Sequence, residues 1–166
     1  KTTTAINLGA SLAVMEKKVL LVDCDPQANG TSGLGLADEE GRGELYTAIY
    51  QPEIVRQCIV QSRAPFLDVL PSSSNLVGVE LELVDKMARE FYLADCLSKV
   101  EDEYEFIIID CPPSLGLLTL NALCAAKELL IPLQCEFFAL EGIVKLLQTY
   151  EQVKKRLNTS LYLLGI

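Results

Sequence analysis

The sequence contains no histidine. It therefore lacks the commonest general base at neutral pH and the commonest protein ligand of zinc. Its six cysteines are scattered without a CxxC pair, which argues against a metal site. Basic residues are also few, with 14 Lys and Arg against 23 Asp and Glu and a formal charge of −9. So acidic a chain argues against a broad nucleic-acid-binding face on these residues.

Long hydrophobic runs are missing too. The most apolar stretch, Leu115 to Ala126, is shorter than the roughly 20 residues that span a bilayer, so it predicts a soluble core helix. Hydrophobic residues still make up 50% of the chain, enough for one domain with a sizeable core. Several cysteines lie in apolar runs and no signal peptide is visible, so we expect buried, reduced thiols in a cytoplasmic protein. Because position 1 is not Met, we expect residues 1–166 to form a single domain that is incomplete at both ends.

Short apolar runs alternate with helical patterns along the chain. This order is typical of repeated βα units, and continuous apolar runs are typical of strands covered on both faces. The predicted strands are 18–23, 67–71, 106–110, 128–132 and 161–165. The predicted helices are 3–15, 76–84, 88–100, 117–126 and 140–157. The sequence therefore predicts an α/β fold with a mostly parallel sheet and helices on both faces.

Two segments between these elements have informative side chains. The first helix carries small residues that would let it pack closely on a sheet (Ala5, Gly9, Ala10, Ala13). The last predicted helix carries one apolar stripe (Leu140, Ile143, Val144, Leu147, Tyr150, Val153, Leu157). The Gly-rich, polar segment 27–43 predicts a loop with at most short helices.

The chain opens on Lys1-Thr2-Thr3-Thr4 at the start of a predicted helix. A lysine followed by hydroxyl residues there is typical of the end of a phosphate-binding loop. In such loops the ammonium reaches the β- and γ-phosphates, the next hydroxyl binds Mg²⁺, and free N–H groups face the anion. A threonine that only caps the helix is the alternative.

Three acids accompany this helix start. Asp23 and Asp110 each end an apolar strand, an arrangement in which the acid holds Mg²⁺ through water in nucleotide-binding proteins. Asp25 follows Asp23 by two residues. The alternatives are an N-cap or a solvated strand-end acid at Asp23 and Asp110, an Asp-Pro turn at Asp25 and a stiff loop exit at 110–114. Since ligands of open α/β sheets bind at the carboxyl ends of the strands, the combination predicts a Mg²⁺–nucleotide site.

Four blocks of sequence then resemble one family. They are residues 1–10 (KTTTAINLGA), 19–35 (VLLVDCDPQANGTSGLG), 107–123 (IIIDCPPSLGLLTLNAL) and 134–142 (QCEFFALEG). In this order they are similar to the ParA/Soj family of deviant Walker-type ATPases, which segregate bacterial chromosomes and plasmids. The resemblance covers essentially the whole chain and implies a P-loop NTPase-like fold.

The resemblance also implies roles for single residues. Lys1 matches the Walker A lysine, which contacts the β- and γ-phosphates and acts in catalysis. Thr2 matches the Mg²⁺ ligand, and Thr3 a residue facing the α-phosphate. Asp25 matches the acid of switch I that orients the attacking water, with Asp23 placed beside the nucleotide just before it. Asp110 matches the Walker B acid, which reaches Mg²⁺ through water.

The family resemblance implies ATP and Mg²⁺ as ligands and three kinds of partner. These are a second copy in an ATP-bound homodimer, a ParB-like centromere-binding protein and nonspecific DNA, the last through residues beyond this chain. A cytoplasmic, nucleoid-associated protein without membrane attachment is expected. The family's Lys-Gly-Gly-Val-Gly segment would precede Lys1. Two alternatives remain: a MinD-like division-site regulator, or a ParA-derived interaction domain without catalytic activity.

Overall fold

The computed structural model describes residues 1–36, 43–134 and 137–166, and side chains throughout these ranges except at 137–141. Its helices are α1 (Thr2–Val14), α2 (Asn29–Gly33), α3 (Leu45–Tyr50), α4 (Val55–Cys58), α5 (Val77–Glu82), α6 (Tyr92–Leu97), α7 (Leu117–Ala125) and α8 (Phe137–Arg156). Its strands are β1 (Val19–Asp23), β2 (Val60–Gln61), β3 (Leu67–Leu70), β4 (Phe106–Asp110), β5 (Glu128–Leu130) and β6 (Tyr162–Gly165). Short 3₁₀ turns cover Pro52–Ile54, Ser74–Leu76 and Glu101–Glu103.

The central sheet has the strand order β2-β3-β1-β4. Strand β1 is parallel to both neighbours, with Val19 opposite Leu67 on one side and Phe106 on the other. The short edge strand β2 is antiparallel to β3, and β5 and β6 form a separate parallel pair. The predicted α/β fold with a mostly parallel sheet is therefore confirmed. The sequence pattern did not predict β2 or the separate β5–β6 pair.

Helices cover both faces of the central sheet, as predicted. Strand β1 is buried along its whole length, because its alternate residues face opposite layers and both layers are covered by helices. Leu20 and Val22 pack against the layer built from α3, α4, α5, α6 and α7. Val19 and Leu21 pack against α1 on the other face.

Small side chains let α1 lie close to the sheet. Ala5, Gly9 and Ala13 are its buried residues, spaced by four and therefore on one helix face. A Cβ atom at Gly9 would stand 3.4 Å from Leu67 Cδ1 and 3.6 Å from Ile108 Cδ1. There is room for a methyl group at this position and for little more, which confirms the predicted close packing.

A third apolar cluster joins α7, α8 and β6. Leu123, Tyr150, Val153 and Leu161 are buried in it. The C-terminal half of the predicted stripe on α8 is thus confirmed, with Leu157 also packed in the cluster, whereas Val144 is 55% exposed. The side chain of Leu140 lies outside the described residues, as do Cys135 and part of the 134–142 block.

Three helices depart from the pattern-based prediction. The helix predicted over 88–100 is shortened to α6 (Tyr92–Leu97). Ala88 is excluded from it by φ +53°, a left-handed conformation that a right-handed helix cannot contain. Helices α3 and α4 were not predicted. The segment predicted as a loop with short helices contains α2, and its residues 37–42 lie outside the described residues.

Two smaller features complete the fold. Cys24, Cys58, Cys96 and Cys124 are buried free thiols and Cys111 is a half-buried one, as expected for reduced cysteines. Within the described ranges, the helices include none with the length and apolarity needed to cross a membrane.

The close approach of α1 to the sheet predicts a large difference between two leucine substitutions. Gly9→Leu should lower the free energy of unfolding by about 1–3 kcal/mol, because the added atoms meet Leu67 and Ile108. Asn7→Leu, at an exposed position of the same helix, should change it by less than about 0.5 kcal/mol. Urea denaturation measures both variants. Equal losses for the two would show that α1 does not pack as described.

Candidate functional site

Parallel pairing of β1 with β4 places two acids side by side. Asp23 lies opposite Asp110 at the last register position of the two strands, and the Cys24 N–H donates to the Asp110 carbonyl at 2.8 Å. Val22 and Ile109, one residue earlier, pack in the layer away from α1. Because side chains alternate along a strand, both acids point towards the α1 face. This is the sheet edge at which ligands of open α/β folds bind.

The N-terminus of α1 meets the same edge. Lys1 is the N-cap residue of α1 and Thr2 its first residue. The Thr2 hydroxyl lies beside the Asp110 carboxyl and partly lowers its pKa. Burial raises the pKa of Cys111 to about 12, and the nearby Lys1 charge opposes that rise. The first N–H groups of a helix have no partner within it, so this end suits an anion.

Asp110 is a buried acid with an unsatisfied oxygen. Its side chain is 3% exposed, and among the described residues its buried Oδ2 atom has no hydrogen-bond partner. Burial raises the pKa of Asp110 above 3.8; the Thr2 hydroxyl lowers it, and the charges of Asp23 and Asp25 raise it further. An unpaired buried carboxylate oxygen is costly, and a hydrated cation would relieve that cost. The residues present therefore fit Mg²⁺ beside Asp110 and Thr2.

Asp25 is held in a tight turn just beyond β1. It is 7% exposed, and its Oδ1 accepts from the Gln27 N–H at 2.9 Å. Ala28, which leads into α2, has φ +52°, and a left-handed non-glycine residue marks local strain of the kind that clusters at functional sites. The turn keeps the Asp25 carboxylate close enough to Asp110 to raise that group's pKa.

Asp23 has a different environment from its neighbour. It is completely buried, and both of its oxygens accept hydrogen bonds from the protein. Burial raises the pKa of Asp23 and the bonds from Thr31 lower it. The arrangement favours a role in holding the following loop over the predicted contact with the nucleotide.

Sequence reasoning missed two residues at this edge, Thr31 and Ser72. Both are buried and both join the hydrogen bonds around Asp23 and Asp25. Ser72 follows β3 by two residues, so the predicted strand could have placed it at the carboxyl edge of the sheet. Nothing in the sequence pattern placed Thr31, which lies in α2, at this edge. Thr3 is exposed on the first turn of α1, and its predicted phosphate contact stays a prediction.

Two further clefts lie elsewhere on the surface. They are shallow, have volumes of about 310 and 340 Å³ and share Gln61 and Asp68. Both lie at the opposite edge of the sheet, away from Asp23 and Asp110. Across the ranges given above, no group of three or more His, Cys, Asp or Glu side chains could enclose a metal ion. A Mg²⁺ site at Asp110 would accordingly share its ligands with water and phosphate, which is usual for this ion.

Fold and site together define a P-loop NTPase-like protein, since a Lys-Thr helix start faces strand-end acids at one sheet edge. A family model described as an AAA domain matches residues 1–163. The chain belongs to this family, and over its whole length it is similar to ParA and Soj proteins, as the four sequence blocks indicated.

Two curated relatives and one solved structure illustrate the match. The chain is 51% identical to the chromosome partitioning protein ParA of Myxococcus xanthus and 52% identical to the chromosome-partitioning ATPase Soj of Treponema pallidum. Each alignment covers 100% of this chain, which spans 59% and 64% of those proteins. The cobyrinic acid a,c-diamide synthase of Mycobacterium smegmatis, solved with an ATP analogue and magnesium, superposes with a TM-score of 0.93 at 36% identity, covering 99% of this chain and 68% of that one.

Burial of the Asp110 carboxyl predicts that Asp110→Asn stabilises the metal-free protein at neutral pH. The pKa of Asp110 is raised in the folded protein, so its ionisation favours unfolding as the pH rises above 3.8. The amide does not ionise. The gain in free energy of unfolding should therefore be present at pH 7 and shrink as the pH falls towards 4.

Urea denaturation in EDTA across this pH range measures the effect. Asp102→Asn, at an exposed position, is the matched control and should show no such trend. A destabilised Asp110→Asn protein at pH 7 would contradict the electrostatic description of this site.

Proposed function

We propose that the protein to which this chain belongs binds and hydrolyses Mg²⁺–ATP and uses the cycle to partition a chromosome or plasmid. The observation that carries the proposal is the meeting of Lys1, Thr2, Asp25 and Asp110 at one sheet edge. A capping role does not account for Thr2, because the N-cap of α1 is Lys1 and no side chain caps the helix. Nor would capping explain why, among the described residues, a buried oxygen of Asp110 has no hydrogen-bond partner.

Different residues of the chain would bind the phosphates and the Mg²⁺ ion. Lys1 contacts the β- and γ-phosphates, and the free N–H groups of the first turn of α1 add further donors. Thr2 and Asp110 would hold Mg²⁺, Asp110 through water, and Thr3 would face the α-phosphate. The bound cation would neutralise charge on the phosphate oxygens.

Asp25 would carry the hydrolytic step. Its carboxylate accepts a hydrogen bond from the attacking water and orients it. The water oxygen bonds to the γ-phosphorus as the bond to the bridging oxygen breaks, so that ADP leaves and the protons of the water end on the oxygens of the released inorganic phosphate. Residues 1–166 contain no histidine that could perform this task. Catalysis would depend on positioning and charge rather than on a strong base.

Comparisons support the ligands and the reaction. The relative from Treponema pallidum is named an ATPase, and similar structures were solved with ADP and magnesium and with an ATP analogue and magnesium. The McdA protein of Cyanothece, 25% identical with a TM-score of 0.92, was solved as a D38A–ATP complex.

Partition would require three further properties, which we propose from the family. They are an ATP-dependent homodimer, stimulation by a ParB-like protein, and nonspecific binding to DNA on the nucleoid. The net charge of −9 on these residues means that the DNA contact would come from residues outside 1–166.

Asp25→Ala should separate binding from turnover in the complete native protein. Loss of the water-orienting carboxylate should lower kcat on the order of 100-fold or more, while the Kd for ATP stays within a few-fold. Phosphate release and ATP titration measure the two quantities. Asp102→Ala removes an exposed carboxylate and should leave both unchanged. Normal turnover by Asp25→Ala would show that another group orients the water.

Lys1→Ala should weaken ATP binding itself. Loss of one charged hydrogen bond costs about 1.5–3 kcal/mol, which raises Kd on the order of 10- to 100-fold. Lys99→Ala removes an exposed lysine far from the acids and serves as the control. A wild-type native protein that binds no Mg²⁺–ATP in the same titration would contradict the ATPase proposal and favour an interaction domain.

A further inference from the structure

The buried Asp23 carboxylate connects three separate segments. Its Oδ2 accepts from the N–H and from the hydroxyl of Thr31, both at 2.8 Å. Its Oδ1 accepts from the N–H of Asp25 at 3.1 Å. One side chain thereby holds both the start of the Asp25 turn and the short helix α2 that follows it.

Ser72 closes these bonds into a ring. The Thr31 hydroxyl, which donates to Asp23, accepts from the Ser72 N–H at 3.0 Å. The Ser72 hydroxyl donates to the carbonyl of Asp25 at 2.8 Å. The backbone N–H and the backbone carbonyl of Asp25 are thus both held by the ring, which returns to Asp23.

The ring is buried and tightly packed. Asp23 and Thr31 are fully buried and Ser72 is 1% exposed. A Cβ atom at Gly30 would stand 3.0 Å from Asp23 Oδ2, so glycine is what allows α2 to approach the carboxylate so closely. Hydrogen bonds to a buried carboxylate are stronger than neutral ones, and a broken one leaves an unsatisfied partner behind.

We propose that Asp23, Thr31 and Ser72 act together as positioning residues that fix the backbone of Asp25 for hydrolysis. This inference rests on the proposed ATPase function and specifies how its water-orienting residue is aimed. It assigns Asp23 to the protein interior rather than to the nucleotide. A small displacement of a catalytic group can slow a reaction on the order of 100-fold, so such support affects turnover more than affinity.

Thr31→Val and Thr31→Ser test the ring in the complete native protein. Valine has the shape of threonine without the hydroxyl, so it breaks the link between Asp23 and Ser72. Its kcat should fall on the order of 10- to 100-fold with the KM for ATP within about twofold. Serine restores the hydroxyl and should recover most of the rate. Equal loss in both variants, or a rise in KM that matches the fall in kcat, would overturn the proposal.

Two further variants guard against a general folding defect. Ser72→Ala removes only the bond to the Asp25 carbonyl and should lower kcat in the same direction by a smaller factor. Val153→Ala opens a cavity in the distant α7–α8 cluster and should reduce stability without changing kcat. Slower turnover in Val153→Ala by the same factor as in Thr31→Val would also overturn the assignment.

Amide hydrogen exchange gives a readout that needs no nucleotide. Thr31→Val should speed exchange in peptides covering residues 24–31 by about tenfold or more, while Val153→Ala should leave those peptides unchanged. Unchanged exchange in Thr31→Val would show that the ring does not hold the Asp25 turn, whatever the ATPase activity.

A wild-type protein without ATPase activity would contradict the proposed function and the catalytic role of the ring. Hydrogen exchange would still decide whether the ring holds the turn.

Discussion

Parallel hydrogen bonding between β1 and β4 is the interaction on which the candidate site depends. It aligns two apolar strands so that Asp23 and Asp110 end at the same level. Burial of β1 on both faces leaves the acids no alternative register, because a shift by one residue would turn every side chain to the opposite layer. The position of α1, set by small residues packed on this sheet, then brings Lys1 and Thr2 above the acids.

The two strand-end acids are alike in sequence and differ in environment. Both carboxylate oxygens of Asp23 accept hydrogen bonds from the protein. Among the described residues, the buried Oδ2 of Asp110 has no such partner. Burial raises the pKa of both groups, so each costs folding free energy at neutral pH. For Asp23 that cost is offset by hydrogen bonds. For Asp110 a bound ligand would have to offset this cost. Such a loss of folding free energy is common at functional sites.

The α/β class and the meeting of Thr2, Asp25 and Asp110 at one sheet edge could be predicted because they depend on local patterns. Apolar strands that end in acids, and a lysine-threonine helix start, place Asp25, Asp110 and Thr2 at one edge wherever the strands are parallel. The ring around Asp23 could not be predicted, since Thr31 and Ser72 are far apart in sequence and meet only in the folded sheet. The shortened α6 likewise depends on the backbone conformation at Ala88, which the periodicity of side chains does not report.

The most direct test is a crystal structure of the complete native protein with Mg²⁺ and a non-hydrolysable ATP analogue. The account predicts the cation beside the Thr2 hydroxyl, with Asp110 reaching it through water. It also predicts that Asp23 keeps its hydrogen bonds to Thr31 and Asp25. A cation bound directly to Asp23, with Thr31 released, would contradict the division between a supporting acid and a ligand-binding acid.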